Sequence, residues 1–161
     1  MHVLVFLLAV AAAPRNYLIA DGERFHHQTI AFSDADGSAL WFSDANGKGR
    51  TASTRISMRA KDGTEFQLSF PAPDRGSIDL VPGDGDVDNL SHWSMLVQPD
   101  RATYGDGLRA KLGHLIVRVS KYAAVGGSIG GTFDGVLTSS HGDIHIEGAF
   151  HLERAKDVKS F

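Results

Sequence analysis

An all-β fold is what this chain predicts, and three observations carry the prediction. Apolar and polar residues alternate over several short stretches. Asp-Gly and similar turn pairs separate those stretches. Helical spacing of apolar residues is sustained over three turns nowhere, and glycine interrupts most candidates. Together these favour an antiparallel β-sandwich of roughly eight to ten strands, on the strand lengths and spacings usual for that class. A small closed β-barrel is the alternative.

The clearest segment runs from Ser53 to Phe70. Thr54, Ile56, Met58 and Ala60 alternate with Arg55, Ser57 and Arg59; Phe66, Leu68 and Phe70 alternate with Glu65, Gln67 and Ser69. With Lys61-Asp62-Gly63 as a three-residue loop, Met58 faces Phe66, Ile56 faces Leu68 and Thr54 faces Phe70. Arg59 then meets Glu65 on the wet side. A one-residue slip would scramble the two faces, and Gly63 supplies the left-handed residue the loop needs. The same reasoning predicts a hairpin around Ala35-Asp36-Gly37, pairing Phe32 with Leu40 and Ile30 with Phe42. It also predicts one around His141-Gly142, pairing Leu137 with Ile146 and Phe133 with Phe150. Leu115, Val117 and Val119 add a strand, and the ranges 77–81 and 93–97 hold two more.

The whole chain has 161 residues, 42% hydrophobic and 22% charged, which is globular composition for one domain. A net charge of −3 gives no reason to expect a nucleic-acid partner. There is no cysteine, hence no disulfide framework, thiolate metal site or cysteine nucleophile. At the N-terminus an apolar run, His2 to Val10, ends in Ala11-Ala12-Ala13. Such a run followed by small residues reads as a signal peptide, 1–13, ahead of one β-rich domain, 14–161. The run is too short for a transmembrane span, which needs about 20 residues. A secreted or periplasmic location follows.

The C-terminal third carries a resemblance. Gly113-His114-Leu115-Ile116-Val117 leads through Lys121-Tyr122 into Gly130-Gly131-Thr132-Phe133-Asp134-Gly135-Val136-Leu137, and Gly148 and Phe150 follow. This is similar to a family of uncharacterised exported bacterial β-domains with a Gly-Thr-Phe-x-Gly-x-Leu strand before a final Gly-x-Phe strand. The resemblance implies export and a β fold, and it transfers no catalytic residue. Such domains often follow a lipid-attachment cysteine, which this chain lacks.

Several residue groups are candidates for chemistry. The range 71–106 holds Asp74, Asp79, Asp84, Asp86, Asp88, Asp100 and Asp106 against Arg75 and Arg101, seven acids to two bases, a local charge of −5. Within it, Asp84, Asp86 and Asp88 alternate as the first half of a calcium loop does. Asn89 and Met95 then stand where that geometry wants glycine and a bidentate glutamate, so a solvated acidic turn is the simpler account. His145, Glu147 and His151 share one strand face, a set that suits zinc and a zinc-bound water for hydrolysis. A polar outer face is also what any half-buried strand shows. Trp41 and Trp93, with Tyr104 and Tyr122, could offer an aromatic platform to a carbohydrate; Trp41 has the wet-facing parity of the expected 35–37 hairpin. Gly126-Gly127-Ser128-Ile129-Gly130 matches the serine-hydrolase elbow, which requires a helix after the serine, and here a strand follows.

The reading these features favour is an exported, non-enzymatic β-domain that binds or scaffolds something at a cell surface or in the periplasm. Its alternatives are a zinc-dependent hydrolase and a calcium-stabilised adhesion or carbohydrate-binding module. Calcium discriminates cleanly. On the solvated-turn account, millimolar calcium leaves the melting temperature almost unchanged and Asp86→Ala shifts stability by no more than about 0.5 kcal/mol. A rise of several degrees, lost in Asp86→Ala, would identify a calcium site.

Overall fold

A computed structural model describes residues 15–22, 24–43, 50–71, 79–80, 92–98, 100–105, 114–156 and 158–159. The strands are β1 (Tyr17–Gly22), β2 (Phe25–Ser43), β3 (Arg50–Ala60), β4 (Glu65–Pro71), β5 (Asp79–Leu80), β6 (His92–Val97), β7 (Ala102–Gly105), β8 (His114–Tyr122), β9 (Ser128–Ser139), β10 (Gly142–Glu153) and β11 (Val158–Lys159). No helix occurs among the described residues. All eleven strands join one sheet in the order β5-β8-β9-β10-β1-β2-β3-β4-β6-β7, with β11 off that path, parallel to β2. Every other pairing is antiparallel. Among the described residues the end strands β5 and β7 do not pair with each other, and the sheet is curled into a half-barrel.

The curl folds one half of the sheet over the other around a single apolar core. Three contacts pin the halves together. Phe66 on β4 stacks on Phe133 on β9 with ring centroids 4.8 Å apart. Phe25 on β2 meets the fully buried Tyr104 on β7 edge-on at 6.1 Å. Thr54 on β3, also fully buried, has its hydroxyl 2.7 Å from that of Tyr122 on β8. That last bond satisfies a hydroxyl the apolar core would otherwise leave stranded.

The Asp62-Gly63 hairpin forms in the expected register. Met58 pairs with Phe66, Ile56 with Leu68, Thr54 with Phe70 and Arg59 with Glu65. Asp62 accepts the Thr64 amide at 2.8 Å, and Gly63 has φ of 90°, the left-handed value the loop demands. All six inward side chains are at most 1% exposed.

The other two hairpins are corrected. No turn forms at Ala35-Asp36-Gly37. β2 runs straight through it, Ile30 pairs with Leu18, and Ala35, Gly37 and Ala39 pair with Met58, Ile56 and Thr54 of β3. The local turn signal loses because this ladder gives β3 a partner on its second side. At the β9–β10 hairpin the turn is Ser140-His141, Leu137 pairs with Ile144, and Phe133 pairs with Gly148, two residues away from the expected register. A slip of two keeps the faces, so the inward residues are those expected. The reason for the slip is reciprocal packing. Phe133 lies over Gly148 and Phe150 lies over Gly131, where the expected register would have set the two phenylalanines against each other.

These glycines leave no room for a side chain. A Cβ on Gly131 would stand 2.3 Å from the Arg118 carbonyl and 2.7 Å from the Phe150 ring. One on Gly148 would stand 2.2 Å from the Tyr17 carbonyl and 2.5 Å from the Phe133 ring. Backbone atoms cannot retreat as a side-chain tip can. Gly131→Ala and Gly148→Ala should therefore each destabilise the protein by about 1–3 kcal/mol in urea unfolding, as overpacking does. Thr132→Ala, on the exposed face of the same strand, should stay within about 0.5 kcal/mol.

Candidate functional site

Among the described residues a polar hollow lies on the outward face of β9, β10, β1 and the start of β2. The register builds it. His145 of β10 pairs with Asp21 of β1 on one side and Val136 of β9 on the other. In the next row Glu147 pairs with Ile19 and with Asp134. Rows on one face of adjacent strands put paired side chains within about 5 Å at Cβ.

His27 joins them through a β-bulge. Ala20 pairs with Gln28 and Gly22 with Phe25, so Asp21 alone stands opposite both His26 and His27. The inserted residue, His27, adopts a φ of 53°, left-handed and uncommon outside glycine, and its amide donates to the Asp21 carboxylate at 3.3 Å. Gly22 completes the turn at a φ of 122°, where a Cβ would stand 2.8 Å from the Asp143 carbonyl.

The resulting depression has a volume of about 250 Å³, with Asp21, His27, Asp134, His145 and Glu147 around an apolar patch of Ile19 and Val136. All five titratable side chains are exposed. A second depression adjoins it, sharing Asp134 and Glu147 and adding Arg118 and Tyr17. At the far end of β1, Arg24 pairs with Asp100 and lies 5.9 Å over the Phe25 ring. Burial acts to lower the Arg24 pKa, but Tyr104 and Asp100 outweigh it and raise it above its usual value.

His145, Glu147 and His151 do share the outward face of β10 as expected, since Ile144, Ile146, Phe150 and Leu152 all point inward. His145 and Glu147 line the hollow; His151 pairs with Gly130 further along and does not. Among the described residues no three His, Asp or Glu side chains are grouped so as to hold a metal ion. The calcium candidates Asp84, Asp86 and Asp88 lie outside the described residues, as does the expected signal peptide, 1–13.

Tyr104 is a core residue, and Tyr122 is half-buried, its hydroxyl bonded to Thr54 and its ring under the Arg154 guanidinium at 4.8 Å. Trp41 pairs with Ala52 on β3 and Trp93 with Leu68 on β4. The wet-facing parity expected of Trp41 went with the hairpin that does not form; the side chains of Trp41 and Trp93 lie outside what the structure describes. Their strands are three apart in the sheet, roughly 14 Å at the usual strand spacing. Ser128 of the elbow-like motif opens β9 opposite Glu153, where the turn before it bonds to Arg154 through Gly126 and Gly127.

Sequence reasoning missed Asp21, His27 and Asp134. A usable signal was there. Phe25 and Ile30 are both buried in one strand yet five positions apart, an odd spacing that strict alternation cannot place on one face. An inserted residue between them is required, and His27 is that residue. Comparison with family models, curated proteins and solved structures yields no match.

The bulge should be set by the ladder around it and not by the imidazole. His27→Gly removes the left-handed penalty and should leave stability within about 1 kcal/mol, whereas β-branched His27→Val should cost about 1–2 kcal/mol more than His27→Gly in thermal or urea unfolding.

Proposed function

We propose that this chain is an exported, non-enzymatic binding module whose ligand face is the outward hollow of β9, β10 and β1, and that the ligand presents an amine or guanidinium group. The observation that carries the reading is the row geometry: Asp21, Glu147 and Asp134 come from three adjacent strands and surround the apolar patch of Ile19 and Val136. Carboxylates around an apolar floor complement a cationic head on an aliphatic stem. A rigid ladder holds these groups, which limits the ordering cost of binding. The hollow is open and its groups exposed, which favours recognition over chemistry that needs water excluded. The export half of the reading rests on the apolar run ahead of Ala13.

The test uses the blocked peptide N-acetyl-trilysine amide on isotope-labelled full chain at pH 7.5 and low salt. Amide shifts should concentrate at 19–21, 134–136 and 145–147, weaken with added salt, and vanish in the double variant Asp134→Asn/Glu147→Gln. Both substitutions fall on exposed positions and should leave the fold unchanged. Shifts elsewhere, or none, would reject this face as the binding site.

A further inference from the structure

We infer that the cation this face takes is supplied by a second copy of the chain, which docks the outward face onto itself about a two-fold axis; this rests on the cation-binding reading above. The charge of the face changes sign along its strands. In one row Asp134 pairs with Glu147, flanked by Ile116 on β8 and Ile19 on β1. The next row towards the β9–β10 turn brings Asp21, and Asp143 is exposed one row further. In the opposite direction Arg118 pairs with Thr132, and Thr132 with Ala149 beside Tyr17. The row beyond holds Lys121 and His151, both paired with Gly130. A Cβ on Gly130 would stand 3.2 Å from His151 Nδ1 and 4.0 Å from the Lys121 Cβ, so both side chains lie on that side of the strand. Arg15, two positions ahead of Tyr17, is exposed at the same end. Among the described residues, carboxylates therefore gather at one end of the face and Arg15, Arg118 and Lys121 at the other.

Between the two ends, Tyr17, Ile19, Ile116 and Val136 are half-buried, and Ala149 is small enough to let a second sheet approach. A two-fold axis in the plane of the face and perpendicular to its strands reverses strand direction and makes an isologous contact. Set between the Tyr17 and Ile19 rows, it lays the Asp134–Glu147 row of each copy over the Arg118 row of the other. The same axis brings Asp21 opposite Arg15 of the second copy. Arg15 then offers a guanidinium on an aliphatic stem to the carboxylates and apolar floor of the hollow. With strands running the same way, carboxylates would instead meet carboxylates. A second copy is thus the partner whose charge pattern this face already complements. Rows about 6.7 Å apart on strands about 4.8 Å apart make a patch of roughly 20 by 25 Å. That is about 500 Å² per copy, the low end for specific association, so the dimer should be weak and sensitive to salt.

Sedimentation of the full chain tests this. At low salt the 17.3 kDa monomer should give way to a species of twice that mass as concentration rises towards about 500 μM, and high salt should restore the monomer. Asp134→Lys and Arg118→Glu, both at exposed positions, should each abolish the dimer. An equimolar mixture of the two should recover it, because Lys at 134 then meets Glu at 118 while Asp134 meets Arg118. The neutral variant Asp134→Asn/Glu147→Gln should also lose the dimer, with no charge reversed. A wild-type chain that stays monomeric, a dimer that survives these variants, or a mixture that does not associate overturns the self-docking. N-acetyl-trilysine amide, added where the chain is monomeric, reads the cation site separately. Amide shifts at 134–136 and 145–147 without a dimer leave the cation-binding reading standing; neither shifts nor dimer overturns both.

Discussion

β2 is the strand on which the rest of the molecule depends. Its first part pairs with β1 and its second with β3, so one continuous backbone belongs to both halves of the curled sheet. The handover occurs at Ser33, where Phe32 pairs with Ala60 and Asp34 with Arg59, leaving Ser33 as the extra residue. A bulge of this kind bends a strand and increases its local twist. It also resets the alternation: Ile30 and Phe32 are buried before it, and Ala35 packs on the core after it. With the corner turned there, β4 can lie over β9, and Phe66 can reach Phe133.

The hollow depends on the other irregularity of the same strand. The bulge at His27 keeps Phe25 in the core while letting Ile30 return to it, and the inserted residue is set outward beside Asp21. The candidate site is thus a by-product of a core requirement. Asn16, just ahead of β1, reinforces this region by accepting the Phe32 amide through its carbonyl and the His151 amide through its side chain. The strands that hold the acidic rows are therefore tied on both sides.

The reciprocal Phe–Gly packing of β9 and β10 gives the conspicuous C-terminal glycines a structural purpose. Gly131 and Gly148 are the places where the facing phenylalanine rings cover the opposite strand. Aromatic side chains over strand glycines restore burial that glycine alone cannot provide, and they fix register. The Gly-Thr-Phe-x-Gly-x-Leu segment is thus a packing device in this chain. The chemistry-bearing residue within it is Asp134, the position between Phe133 and Gly135 that faces outward.

The sequence by itself determined the fold class, the Asp62-Gly63 hairpin with its full register, and the outward parity of His145, Glu147 and His151. Each of these rests on local alternation and turn chemistry, which act over a few residues and need no distant partner. Only the tertiary structure decided that Asp36-Gly37 is passed straight through, because the competing ladder to β3 lies about twenty residues away in sequence and local turn propensity does not register it. The two-residue register choice at the β9–β10 hairpin was invisible for a related reason. Both registers bury the same residues, and what separates them is which ring covers which glycine across the ladder. The site was split in the same way. His145 and Glu147 were legible on one strand, but Asp21, His27 and Asp134 join them only when four strands align, and row alignment is a property of the assembled sheet.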